Sequence, residues 1–490
     1  MKSILKATAV LSSASFISVL MGLILAKVSA TLLGPQGVGL MGLLQSLAGL
    51  AALVAGMGVG AGLVRAGAKA LAQEDEGQMS ALGGGAWLLW WTLGGLAALL
   101  LVLLRAPLSR LMLGGEEHSG AVVLMAPTLL LMLATLVQTS ILNAHRRIGD
   151  LARVAVKSSV AGGLLTVFFI WRWRAGGIAP AILAASVAGW AVSYYYLRRL
   201  RRAGETPRAV VARRDVFGAA RELLRFGAPY TASMVVGGGV QLILPALVLH
   251  RLGHDGVGFY RAATTISVTY LGFLINAMAQ DYYPRISAAS DDEAGLTRLI
   301  NDQLRLVLLI SGPIIVGMLA LVPYIVPLVY SAQFAPTSDL LEWQLIGDIF
   351  KFAAWTMSFV ILARSGSKTF FLTELFGGSC LLLMSWFGMR WFGLSGLGVA
   401  FILTCAFYLV LCWRLTRGSL GLRWTTENKL LFLTFVLAAM FIRAMPHVGL
   451  DTFRTPVALT LAAVLGLCSL YIIWREIGSL KGLRLWRKAA

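Results

Sequence analysis

One eight-residue pattern occurs twice in this chain and constrains its fold more than any other feature. Leu33-Gly34-Pro35-Gln36-Gly37-Val38-Gly39-Leu40 reads leucine, glycine, two variable residues, glycine-valine-glycine, then an apolar residue. Leu252-Gly253-His254-Asp255-Gly256-Val257-Gly258-Phe259 reads the same. Equivalent residues lie 219 positions apart. Each copy sits between two long apolar runs, where glycine supplies the positive φ of a tight turn between antiparallel helices. The most basic segment of the chain lies between the copies. A chain that uses the same turn twice predicts a duplicated helical bundle. Bundles that rock against each other around a central site are the usual build of membrane transporters.

Composition fixes the solvent of that bundle. The chain has 490 residues, 58% of them hydrophobic and 13% charged, against about 25% charged in soluble domains. Mean hydropathy is +0.79. The apolar residues come in blocks of about 20, enough to cross a hydrocarbon core about 30 Å thick. The expected fold is an all-α polytopic membrane protein with about fourteen transmembrane helices. Six form an N-terminal bundle over residues 1–197 and six a C-terminal bundle over 226–416. A basic linker, 198–225, joins them, and 417–490 holds two extra helices and a basic tail. Lys2 and Lys6 imitate a signal peptide, but the apolar run from Thr8 to Ala26 exceeds a typical h-region and reads as a retained first helix.

The net charge of +20 would suit nucleic acid if it were clustered on one face. It is instead distributed by loop. Most of the 42 Lys and Arg residues fall on the side that holds the N-terminus, which predicts two cytoplasmic termini and anionic lipid headgroups as the partner of this charge. No nucleic acid is implied. Cys380, Cys405, Cys412 and Cys468 fall inside apolar spans without a CxxC pair and read as small buried hydrophobes. His250 and His254 have the spacing of a metal pair, but Gly253 breaks the helix they would need. No metal site is expected. P-loop, G-x-S-x-G and HExxH signatures are absent, and no soluble insertion is large enough for a catalytic domain.

Glycine and proline should shape the helices. Gly56 to Gly62 contains overlapping small-xxx-small patterns within a helix at about 40–64, which lets backbones approach. Gly237-Gly238-Gly239 with Pro245, and Pro313, Pro323 and Pro327, should bend or loosen theirs. Ionisable residues inside the membrane cost about 2.5–3.5 kcal/mol each and ask for a reason. Lys27 and Arg261 sit near the two glycine turns, where they either snorkel to headgroups or line a water-filled cavity that attracts an anion. Arg65 closes the second helix as an anchor. The tenth helix is densest, with Glu342, Trp343, Gln344, Asp348 and Lys351. Gln344, Asp348 and Lys351 share a face, so a structural Asp348–Lys351 ion pair is one reading. A carboxylate at Asp348 or Glu374 that exchanges H+ or Na+ is the other.

Trp343-Gln344-Leu345-Ile346-Gly347-Asp348-Ile349-Phe350-Lys351 resembles a motif of the polysaccharide flippases of the multidrug/oligosaccharidyl-lipid/polysaccharide exporter superfamily. The look is that of the O-antigen translocase and lipid III flippase branch. Lys27 with the first glycine turn, Val257 to Ser267 ending in Tyr283-Pro284, and Phe370-Phe371-Leu372-Thr373-Glu374 resemble other segments of that family, and the similarity runs over about residues 1–416. The resemblance implies two six-helix bundles in a V that open alternately to either side of the bacterial inner membrane. It implies a substrate of undecaprenyl pyrophosphate carrying a short oligosaccharide, as for an O-antigen unit in lipopolysaccharide biosynthesis. Lys27 and Arg261, with Arg65 behind them, become contacts for phosphate or sugar. Asp348, Lys351 and Glu374 become coupling or gating residues. No cofactor is implied beyond a coupling H+ or Na+, and a polymerase and chain-length regulator of the same pathway are the candidate protein partners. Helices 13 and 14 depart from the branch's twelve-helix pattern. The rival readings are a multidrug cation antiporter of the same superfamily and a membrane-embedded polymerase or ligase.

Overall fold

A computed structural model describes residues 2–204, 212–288, 292–364 and 366–479. Every regular element among them is a helix: α1 Lys2–Gly56, α2 Val59–Ala72, α3 Glu76–Leu89, α4 Gly95–Leu103, α5 Arg105–Leu113, α6 Ser119–Ala144, α7 Ile148–Trp173, α8 Ile178–Arg202, α9 Arg213–Ala288, α10 Glu293–Val329, α11 Thr337–Arg364, α12 Gly366–Leu420, α13 Thr426–Ala444 and α14 Asp451–Ser479. Ten stretches are long and apolar enough to cross a membrane. This is the expected all-α multi-pass membrane protein. The fourteen expected crossings do not appear as fourteen separate apolar stretches, because several stretches, such as Ile148–Arg202 with 55 residues and Lys368–Leu420 with 53, run through an internal turn. A crossing needs only about 20 residues.

The backbone carries the duplication further than the sequence does. Gly34 has φ 66°, ψ −173° and Gly253 has φ 72°, ψ −175°, so the two copies of the motif turn alike. A second matched pair follows at the same offset. Arg174 has φ 49°, ψ −129° and Gly393 has φ 57°, ψ −132°. Three residues on, a Cβ on Gly177 would lie 2.2 Å from the Phe169 carbonyl, and one on Gly396 would lie 2.0 Å from that of Gly388. Thus α7 and α8 correspond to the two arms of α12, and α6 corresponds to α11.

The chain divides into two units. The first holds Met1–Arg261 with Val329–Gln333 and the second holds Ala262–Leu328 with Phe334–Ala490. Residues 226–261 therefore group with the first unit, whereas the sequence reading starts the second bundle at 226. Of the basic stretch 198–225 expected as a linker, α8 continues to Arg202 and α9 begins at Arg213, while residues 205–211 lie outside the described set. Residues 105–119 contain α5, which the His250 ring ties to α9 through the Leu111 carbonyl at 2.7 Å.

One expectation changes. The helix at 40–64 is broken at Met57 and Gly58, which have φ 42° and 65°. The small residues still bring backbones together: a Cβ on Gly58 would meet the Gly227 carbonyl oxygen at 2.5 Å. The helix with Pro313, Pro323 and Pro327 is continuous from Glu293 to Val329. There Gly312 faces the ring of buried Phe435, which would lie 2.5 Å from an added Cβ.

The last two helices are fastened to the second unit at three levels. Asn428 Nδ2 donates to the Asn301 carbonyl at 2.9 Å, and the Thr425 amide donates to Asn301 Oδ1 at 3.0 Å. Phe435 fills the space at Gly312. At the other end, Glu342 near the start of α11 pairs with both Arg443 of α13 (3.3 Å) and Arg454 of α14. Arg443 also pairs with Asp339.

Candidate functional site

Within the first unit, α1, α6, α7 and α8 enclose a cavity of about 390 Å³. Among the described residues its lining carries no charge: Ser18, Gln45, Ser158, Ser159, Thr166 and Ser186 are polar, and Met21, Leu25, Met41, Met132 and Ile182 make most of the rest apolar. Small residues open this space: a Cβ on Gly163 of α7 would lie 2.9 Å from Met21 of α1. Helix geometry accounts for part of the polarity. Thr166 and Ser186 donate to the carbonyls of Gly162 and Ile182 at 2.8 and 3.0 Å, which leaves their oxygens able to accept. Ser158 Oγ is buried without a partner. Buried polar groups normally find one, so Ser158 keeps a hydrogen-bonding capacity that no described residue fills.

At the same offset of 219, the second unit carries charge where this cavity is neutral. Ala48, Met132, Ile182 and Ser186 line the cavity; their counterparts are Ser267, Lys351, Phe401 and Cys405. Here Asp348 is completely buried. It accepts from Ser267 Oγ at 2.6 Å and pairs with Lys351 Nζ at 3.5 Å. The Lys351 side chain is 42% exposed and lies 5.9 Å above the Phe401 ring. The ion pair considered from the sequence is thus formed. Glu374 stands apart from it in a pair of its own, accepting from Tyr408 Oη at 2.6 Å.

The cations separate into three places. Arg261 is partly buried: its Nη2 donates at 3.3 Å to the carbonyl of Gly42, its own counterpart 219 residues earlier. Gln36 Nε2 likewise donates to its counterpart Asp255 at 3.1 Å. The guanidinium of Arg261 lies across Gly42, where a Cβ would approach within 2.5 Å of Nε. Lys27 is exposed on α1, and its carbonyl accepts from Thr31. Arg65 lines a separate cavity of about 430 Å³ with Lys69, Glu222, Arg225 and Phe226, its guanidinium 4.6 Å above the Phe226 ring. The structure does not gather Lys27, Arg261 and Arg65 into one lining.

The sequence family of polysaccharide biosynthesis proteins matches residues 4–290, more than half of the chain. The chain belongs to that family. The Lipid III flippase of Escherichia coli (strain K12) is 23% identical over 413 residues, which cover 84% of this chain and 97% of that protein. The protein of the same name in Shigella flexneri gives the same figures. Among solved structures, an inward-facing multidrug resistance MATE family transporter of the MOP superfamily superposes with a TM-score of 0.70 at 17% identity, covering 84% of this chain and 98% of its own. The inward closed structure of the lipid II flippase MurJ reaches 0.70 at 15%, covering 95% and 99%. This member of the polysaccharide biosynthesis family therefore has the MOP transporter fold.

Sequence reasoning did not single out the hydroxyl-lined cavity, because serine and threonine in helices usually bond their own backbone and carry no motif. Nor did it foresee the pairing of Glu342 with Arg443 and Arg454, whose partners lie on different helices, 112 residues apart for Arg454.

Proposed function

We propose that this protein is a flippase that moves an undecaprenyl-pyrophosphate-linked oligosaccharide, an O-antigen or related surface polysaccharide unit, across the bacterial inner membrane by alternating access. The termini would be cytoplasmic. The observation that carries the reading is the family match together with a neutral, hydroxyl-lined cavity in the first unit. Sugar hydroxyls donate and accept at once, and Ser158 offers an unused partner. Arg65, Lys69 and Arg225 in their own cavity are suited to the pyrophosphate, whose charge needs compensation near a low-dielectric core. Lys27 would serve the same anion at the membrane edge. Arg261, which bonds the Gly42 carbonyl, would hold the two glycine-turn segments together, with contact to substrate as its second role. Asp348 with Lys351, and Glu374 with Tyr408, remain the proposed coupling elements for H+ or Na+. A polymerase and a chain-length regulator would act on the product.

The antiporter reading has one discriminating observation against it. A binding site for organic cations wants an unpaired carboxylate, and the neutral cavity has none in its lining. In the second unit Asp348 and Glu342 are already paired with Lys351, Arg443 and Arg454, and Glu374 is bonded by Tyr408 rather than by a cation.

Binding tests this directly. Purified protein should hold the glycan-bearing lipid about tenfold more tightly than undecaprenyl pyrophosphate alone, the scale of one or two buried hydrogen bonds. Ser158→Phe, which fills the cavity, should abolish that preference while leaving the bare pyrophosphate lipid bound. Equal affinity for the two lipids in the wild type contradicts the assignment of the cavity to sugar.

A further inference from the structure

A third cavity, of about 450 Å³, lies in the second unit where α12 gives way to α13. One wall is apolar, formed by Leu409 and Val410 on the last turns of α12. The apolar stretch Lys368–Leu420 ends here and Thr426–Val448 begins, so the cavity straddles the membrane boundary. Its polar rim holds Arg417, Arg423 and Lys429 and no carboxylate. The neighbouring Glu427 is already engaged, 2.5 Å from Arg305. Three exposed cations therefore converge on one opening without a counter-charge in its lining.

Two tryptophans complete the site. Trp413 lies beneath the Arg417 guanidinium, 5.0 Å from its ring centre. Trp424 packs edge-on against Phe432 at 5.7 Å, and its buried indole N–H has no acceptor. An indole donor with its nitrogen out of water and nothing to bond asks for an acceptor from outside the chain. The loop is also held in place before anything binds: Asn301 Nδ2 donates to the Arg423 carbonyl at 3.1 Å, and Asn301 Oδ1 accepts from the Thr425 amide at 3.0 Å. Preformed geometry lowers the ordering cost of a ligand.

We infer that this cavity is a binding site for one anionic phospholipid, its phosphate held by Arg417, Arg423, Lys429 and the Trp424 indole, and an acyl chain lying on Leu409 and Val410. Tryptophan at headgroup depth and clustered basic residues at a membrane end are the chemistry that recognises such lipids. The site is separate from the cavities assigned to substrate above and does not depend on that assignment.

Native mass spectrometry of the full chain tests it, with phosphatidylglycerol, phosphatidylcholine and inorganic pyrophosphate as probes. Wild type should retain one phosphatidylglycerol in preference to phosphatidylcholine. Replacing Arg417, Arg423 and Lys429 together by alanine should weaken that binding about a hundredfold, the sum of three surface-cation contributions. Trp424→Phe, which keeps the ring and removes the donor, should weaken it severalfold, and Arg414→Ala, an exposed cation outside the lining, should change nothing. Equal retention of both lipids, an unaffected triple variant, or pyrophosphate binding as tightly as the lipid would each overturn the proposal, the last by making the site one for free anions.

Discussion

At the scale of single residues, the glycine turns are fixed by contacts that admit no side chain. A Cβ on Gly258 would lie 2.1 Å from the Pro35 carbonyl oxygen, and one on Gly39 would lie 2.7 Å from that of His254. The two copies of the motif thus pack backbone against backbone, which explains why both spend three glycines in eight residues. Gly258→Ala must move backbone and should lower the thermal unfolding temperature sharply. Gly253→Ala meets no neighbour within 4 Å and should cost only the backbone conformation itself (φ 72°, ψ −175°), which is nearly restricted to glycine, about 1–3 kcal/mol. Scanning fluorimetry in detergent compares them, and a Gly258→Ala protein as stable as Gly253→Ala would contradict the backbone contact. These turns were legible because glycine marks them in both copies. The matched turn at Arg174 and Gly393 was not, since one copy holds an arginine at φ 49° and only the backbone shows the correspondence.

At the scale of elements, the charged residues of α11 do different work near its start and at its middle. Glu342 is 4% exposed between Arg443 and Arg454, themselves 11% and 10% exposed. Removing the shared carboxylate strands buried Arg454 and leaves Arg443 with Asp339 alone, so Glu342→Gln should cost about 3 kcal/mol and loosen α13 and α14. Asp348→Asn is different, because Lys351 is 42% exposed and keeps access to water while the amide still accepts from Ser267. Its stability cost should stay under about 1 kcal/mol, while transport falls if Asp348 couples it. Unfolding midpoints and limited proteolysis between α13 and α14 compare the two variants. A Glu342→Gln protein as stable as Asp348→Asn contradicts the latch. The sequence put both carboxylates on one helix and anticipated the pair of Asp348 with Lys351, three residues away. It offered no route to the partners of Glu342, which tertiary packing alone selects.

At the scale of the whole molecule, duplication and divergence together account for the chemistry. Two copies of one helical pattern share turns at an offset of 219, yet the first copy keeps Leu129 and Met132 where the second carries Asp348 and Lys351. One unit thereby gains a neutral cavity and the other a buried ion pair. The all-α membrane architecture followed from apolar blocks and the repeated turn, and the family from short motifs on α1, α9 and α11. The cavities did not, because their linings come from two to four helices at a time and carry no spacing rule. The measurement that tests the account most directly follows the purified protein in liposomes holding a fluorescent undecaprenyl-pyrophosphate oligosaccharide, with a labelled organic cation in parallel. The account predicts that the glycolipid crosses between leaflets many times faster than in protein-free liposomes and that the cation gradient is untouched. Efflux of the cation with no movement of the glycolipid would contradict it.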